Sequence, residues 1–202
     1  QFEPKMPGRE YVMGVDLART EDFTVLSVLD DTGKQVFFER MQLISWERQV
    51  TRIVDIAGIY GATVWLDATG VGDPVVEAVQ TESLRRGLDL TIEGYKFSGP
   101  TAKQVVIDNL AIGLEQGRYR LMDLPVQTNE LEAFTYILSP SGNVRMSAPE
   151  GLHDDTVTAL ALSAWGFMQA VCTVPFGIVR LGEQMQADRK SAWLNEDSWV
   201  SV

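Results

Sequence analysis

The 202-residue chain is 45% hydrophobic and 22% charged, enough apolar material for one sizeable core and an ordinary composition for a globular protein. Its single cysteine, Cys172, excludes an internal disulfide framework, and its single histidine, His153, excludes a zinc site built from several imidazoles, so any bound metal is held mainly by oxygen. A formal net charge of −11 argues against broad attraction to nucleic acid, and no run approaches the roughly 20 apolar residues of a membrane span. The chain opens on Gln1-Phe2 with neither an initiator methionine nor a basic-plus-apolar leader, which reads as a piece of a longer protein.

Tyr11 to Leu17 and Phe23 to Leu29 are β-rich runs, Asp31-Thr32-Gly33-Lys34 is a turn signal, and Gln35 to Leu43 reads as a third strand. Together they predict a three-strand antiparallel meander. From the N-cap Ser45, apolar residues recur at helical spacing through Trp46, Val50, Ile53, Val54, Ala57 and Tyr60 until Gly61 stops the helix. Ala62 to Leu66 is a short buried strand that ends at Asp67. A second helix runs from about Asp73 to Arg86 with Pro74 in its first turn, Leu90 to Phe97 is another strand, and Thr101 to Glu115 is a helix closed by Gly117. Leu131 to Leu138 and Asn143 to Met146 form a hairpin around Ser139-Pro140-Ser141-Gly142, and a last helix covers residues 153–169. Strands separated by helices imply parallel pairing beside the meander: an α/β fold with a central mixed β-sheet flanked by helices and an added β-hairpin. From Pro175 the pattern weakens, so a domain over 1–174 is expected to precede a tail or partner-docking segment over 175–202.

Three elements each present an acid. Asp16 sits near the end of the first strand between apolar neighbours, where a carboxylate buried without a partner costs several kcal/mol; Asp67 ends the strand after the first helix; Asp154 and Asp155 open the last helix. Strand ends and an adjoining helix terminus converge at one rim of an open α/β sheet, and acids gathered there repel one another unless a hard cation such as Mg²⁺ or Mn²⁺ neutralises them. Each acid also has a plainer reading. Asp154 and Asp155 suit an N-cap and first turn, Asp67 suits the start of the Ala68-Thr69-Gly70 turn, Asp22 suits a solvated turn, and His153 suits a capping residue. Neighbours on a helix diverge by about 100°, so Asp154 and Asp155 share one metal only at a flexible first turn, and which of them caps stays open.

In this order and on these elements, GVDLARTEDFTVLSVLD, VWLDATGVGDPVVEAV and GLHDDTVTALALSAW resemble the nuclease domain of the large terminase subunit of tailed bacteriophages, over about residues 10 to 170. The resemblance implies an RNase H-like fold, shared with RuvC resolvases and retroviral-type integrases, and a metal-dependent endonuclease that cuts concatemeric viral DNA during genome packaging. It implies that Asp16, Asp67, Asp154 and Asp155 are the catalytic acids and hold two divalent cations, Mg²⁺ or Mn²⁺. Asp16 would bridge both, Asp67 would support one, and Asp154 or Asp155 the other. Asp22 falls where some members carry an accessory acid, and His153 would belong to the metal's outer shell. No G-x-x-x-x-G-K-[ST] phosphate loop occurs, so the packaging ATPase domain is expected upstream of Gln1. The implied partners are double-stranded DNA, that ATPase domain, the portal and the small terminase subunit, in the host cytoplasm at the procapsid and with no membrane.

Binding DNA against a charge of −11 needs local cations. Arg19, Lys96 and Lys103 are the candidates near the rim, and Arg118, Arg120 and Arg145 would extend the groove or hairpin. Lys103 stands out because a cation in the first turn of a helix opposes the dipole. A RuvC-like resolvase or transposase-type nuclease would use the same acids. An actin-like ATPase half shares the meander, although Leu17 to Asp22 fits its phosphate loop poorly, and a catalytically silent scaffold would bind a partner through Trp193 and Trp199.

Overall fold

The computed structural model describes residues 2–18, 22–70, 73–138, 144–147 and 153–173. In chain order these form β1 (Tyr11–Asp16), β2 (Thr24–Asp30), β3 (Gln35–Met41), α1 (Trp46–Tyr60), β4 (Thr63–Asp67), α2 (Asp73–Arg85), β5 (Ile92–Tyr95), α3 (Pro100–Glu115), α4 (Pro125–Ala133), β6 (Thr135–Leu138), β7 (Val144–Ser147) and α5 (Asp155–Thr173). The sheet runs β3-β2-β1-β4-β5, with β1 antiparallel to β2 and parallel to β4, and β4 parallel to β5. This is the mixed sheet the sequence predicts. The α1 caps also follow the sequence: Ser45 accepts from the Arg48 amide, and Gly61 closes the helix at φ 64°.

One helix departs from expectation. Leu131 to Ala133 belong to α4 rather than to the hairpin, whose strands pair antiparallel only from Thr135; the turn at 139–142 lies outside the described residues. The inward face of α4 is polar. Gln127 and Glu130, three residues apart, are its buried side chains, so the apolar periodicity that marks a helix is missing. Gln127 exchanges hydrogen bonds of 2.8 and 3.0 Å with Gln35 on β3, which also donates to Ser27 on β2, and this amide cluster fixes α4 to the sheet.

The period of two along the strands divides the sheet into two faces. Tyr11, Met13 and Val15 of β1, with Val64 and Leu66 of β4, share a core with Ile53, Val54, Ile56 and Ala57 of α1. The alternate residues face α5, which approaches closely enough that a Cβ on Gly14 would stand 2.0 Å from the Ala159 carbonyl oxygen. Val157, Ala159, Leu160, Ala161, Leu162 and Ala164 are all buried, as are Thr156, Thr158 and Ser163, so this part of α5 is enclosed around its circumference.

Contacts divide the chain into two compact units, Gln1–Phe167 and Met168–Val202. Of the second, 168–173 are described, as the end of α5; the expected tail over 175–202 lies outside the described residues. Among the described residues no helix is long and apolar enough to cross a membrane.

Candidate active site

Asp16 and Asp67 are brought together by strand register. Gly14 pairs with Trp65 and Val15 with Leu66 across parallel β1 and β4, so the next position along is Asp16 beside Asp67. Both fall on the α5 face, by the alternation that turns Gly14 and Trp65 toward Ala159 and Gly166. Burial pushes the Asp16 carboxyl well above the usual carboxylate range; the charges of Asp67, Asp155 and Asp154 act in the same direction, and Lys103 opposes them. Burial also raises Asp67, against a 2.7 Å hydrogen bond from the Thr69 amide and the charge of Lys103. Asp67 thus closes its turn while standing beside Asp16.

At the start of α5 the two aspartates part. Asp154 accepts a 2.9 Å salt bridge from Lys103 Nζ of α3, and its backbone carbonyl accepts from the Thr158 amide, which makes it the N-cap residue by backbone alone. Asp155 is buried and turns its Oδ2 to the Phe23 amide at 3.1 Å, with His153 Nδ1 at 3.6 Å. Burial, with the charges of Asp22 and Glu130 adding to it, lifts the Asp155 carboxyl to about 6. Neither side chain caps the helix through the Thr156 amide. Glu130 of α4 does, its Oε2 accepting from Thr156 N at 2.9 Å and Thr156 Oγ1 at 2.5 Å.

Asp22 is exposed but not isolated. Its Oδ1 lies 3.4 Å from His153 Nδ1, and Asp22, His153 and Asp155 bring ligand-type atoms within 4.8 Å of one another. This oxygen-rich set with one imidazole suits a divalent cation. The Phe23 ring supports His153 edge-on at 5.1 Å.

The expected DNA-binding cations scatter. Lys103 lies among the acids, with its Nζ also 5.8 Å from the Phe134 ring centroid. Lys96 pairs with Asp73 at 2.7 Å, both largely exposed, just after the sheet ends at β5. Arg118 and Arg120 sit away from the acids: the Arg118 carbonyl packs on Gly33, and Arg120 brackets the β2–β3 turn through bonds with Gly33, Gln35 and Thr32. Antiparallel pairing of Tyr11 with Asp30 sets that turn at the end of the sheet opposite Asp16. Arg19 and the side chain of Arg145 lie outside the described residues.

Glu130 and Arg40 escaped the sequence reading. Arg40 Nη2 pairs with Glu130 Oε1 at 3.0 Å, and its guanidinium lies 3.4 Å from the Phe23 centroid. The available signal was Pro125, a first-turn proline that marks a helix start even where apolar periodicity does not.

No family model matches the chain. It is 36% identical over 163 residues to "Terminase, large subunit" of Thermus virus P23-45 and, equally, of Thermus phage G20c, an alignment covering 80% of this chain and 32% of each relative. The chain thus spans about a third of the length of those relatives. The crystal structure of the large terminase nuclease from thermophilic phage G20c matches with a TM-score of 0.72 at 32% identity, over 80% of this chain and 84% of that one. That nuclease has also been solved with bound magnesium and with bound cobalt. The nuclease domain of the large terminase subunit gp2 of bacterial virus Sf6, at 14% identity and a TM-score of 0.63 over 80% of this chain and 89% of that one, shares the fold. The strand-end acids, the mixed sheet beneath α5 and these relatives agree: the chain belongs to the family of large terminase nuclease domains, with an RNase H-like fold.

Proposed function

We propose that this chain is the DNA-cutting part of a large terminase subunit, a metal-dependent endodeoxyribonuclease that cuts concatemeric viral DNA during genome packaging. The observation that carries this reading is the gathering of Asp16, Asp67, Asp154 and Asp155 at one end of the sheet, close enough that the last three all act on the charge of Asp16. Carboxylates so placed fit a pair of hard divalent cations, Mg²⁺ or Mn²⁺. When bound, such ions lower the pKa of a water for attack on the phosphodiester and stabilise the leaving 3′ oxygen.

The chain's own residues do the rest. Asp16, between Asp67 and the start of α5, would be shared by both ions; Asp67 keeps one oxygen outside its Thr69 contact, and Asp154 and Asp155 both leave the Thr156 amide to Glu130. Asp22 and His153 flank Asp155 as an accessory acid and an orienting imidazole. Lys103 neutralises Asp154, and its ammonium would be available to a DNA phosphate were Asp154 to hold metal instead. Lys96 and Arg19 extend that contact; Arg145 belongs to the hairpin side. The rest of the subunit supplies a packaging ATPase domain, portal and small terminase subunit are partners at the procapsid in the host cytoplasm, and the 175–202 segment is a tail or a partner-docking element.

Plasmid cleavage in Mn²⁺ or Mg²⁺ tests the reading. Asp16→Asn, Asp67→Asn, Asp154→Asn and Asp155→Asn are compared with the unsubstituted chain. A metal ligand supplies several kcal/mol of charge stabilisation, so Asp16→Asn is expected to cut on the order of 100-fold more slowly or worse. Cleavage by Asp16→Asn at the unsubstituted rate refutes it.

A further inference from the structure

The first free amides of a helix are most simply satisfied by the N-cap side chain itself. Here the N-cap is an aspartate, a favoured capping residue, and yet the Thr156 amide is served by a glutamate from a different helix. That import is costly, because it puts a third carboxylate beside Asp154 and Asp155 and buries it. The cost is offset by full satisfaction of both oxygens. Oε2 takes the Thr156 amide and hydroxyl, and Oε1 takes Arg40 at 3.0 Å. The Arg40 guanidinium lies over the Phe23 ring, and the Phe23 amide holds Asp155 Oδ2. The contacts close a loop from Glu130 through Thr156 to its neighbour Asp155, across to Phe23, and back through Arg40.

A cap needed only for stability requires neither a charge nor a loop that returns to the neighbouring acid. What this arrangement accomplishes is to leave both aspartates uncommitted to the helix and to fix the rotamer of one. We propose that Glu130 and Arg40 are positioning residues for the metal-binding acids: Glu130 takes over the capping of α5, and the pair, through Phe23, sets the direction of the Asp155 carboxylate. The proposal rests on Asp155 being a metal ligand.

Calorimetric Mn²⁺ binding to the metal-free chain without DNA separates the two ideas. It is measured for the unsubstituted chain, Glu130→Ala, Glu130→Gln, Arg40→Lys and Asp155→Asn, well below each unfolding midpoint. Partners that orient a ligand are worth about 10- to 100-fold in metal affinity, so Glu130→Ala is expected to bind at least about 10-fold more weakly. Glu130→Gln keeps an acceptor for the Thr156 amide but sets its amide nitrogen against Arg40, so it recovers only part of the affinity lost in Glu130→Ala. Arg40→Lys keeps the charge but not the guanidinium over Phe23, and likewise binds more weakly than the unsubstituted chain. If Glu130→Ala folds and binds Mn²⁺ as the unsubstituted chain does while Asp155→Asn loses it, positioning is overturned and Asp155 remains a ligand. If Asp155→Asn also binds normally, the reading of Asp155 fails with it. If Glu130→Ala does not fold, unchanged affinity in Arg40→Lys overturns the proposal.

Discussion

Lys103 is placed against the grain of its own helix, a cation in the first turn of α3 where the dipole disfavours it, and its compensation is the Asp154 carboxylate at 2.9 Å. It also lowers the carboxyls of Asp16 and Asp67, so it acts on the acid set as a resident counter-ion. A divalent cation competes with it. Lys103→Met is therefore expected to shift two observables in opposite directions: Mn²⁺ affinity without DNA rises by roughly fivefold, the worth of about 1 kcal/mol for a partly exposed ion pair, while plasmid cleavage slows. Calorimetry and a cleavage time course check the pair of outcomes, and a fall in Mn²⁺ affinity contradicts the competition. The acids themselves were legible from spacing and element ends. What spacing could not supply was rotamer direction: Asp154 toward α3 and Asp155 toward Phe23 follow from partners 51 and 132 residues away in sequence.

Among elements, α5 and β1 set the geometry. Their contact at Gly14 leaves no room for a side chain, with Ser163 N 2.4 Å and Ala159 O 2.0 Å from where a Cβ would stand. Gly14→Ala must push α5 off the strand that carries Asp16. Overpacking of this kind costs roughly 1–3 kcal/mol, and because backbone atoms are the obstacle the upper end is expected, read as a lowered denaturant midpoint together with lost cleavage. The helix was visible in the sequence as a long apolar run behind an acid pair. The element that controls its first turn, α4, was hidden: its buried face is Gln127 and Glu130, and a polar inward face is legible only once Gln35, Arg40 and Thr156 are known to meet it. Strands were read correctly in order and pairing, because alternation and turn residues are local signals, whereas their ends were drawn too long at β3 and β5.

For the whole molecule, the pH dependence near neutrality is set by the acid cluster, where the resolved shifts have one sign. Asp155 is lifted from its ordinary 3.8 to about 6, and Asp16 and Asp67 are raised as well, so the folded chain without metal binds protons more tightly than the unfolded chain. The associated stability is fully present below the ordinary carboxylate range and is lost as pH rises through about 6. A net charge of −11 adds self-repulsion in the same direction. The unfolding temperature of the metal-free chain is expected to rise as pH falls from 7 to 5, and saturating Mn²⁺ to flatten that slope by replacing the protons. A metal-free unfolding temperature that falls steadily over that interval contradicts the repulsion built into the site.

The backbone contact between β1 and α5 has a consequence for how the site can vary. Side-chain contacts absorb small changes by switching rotamers; a strand and a helix spaced by a glycine and a carbonyl have no such slack. The frame on which Asp16, Asp154 and Asp155 are mounted therefore behaves as a jig of fixed dimensions. If the acids hold metal as proposed, fitting the site to a cation of different radius would fall to groups held off the frame, exposed Asp22 and half-buried His153, whose side chains can shift without moving the helix or the strand.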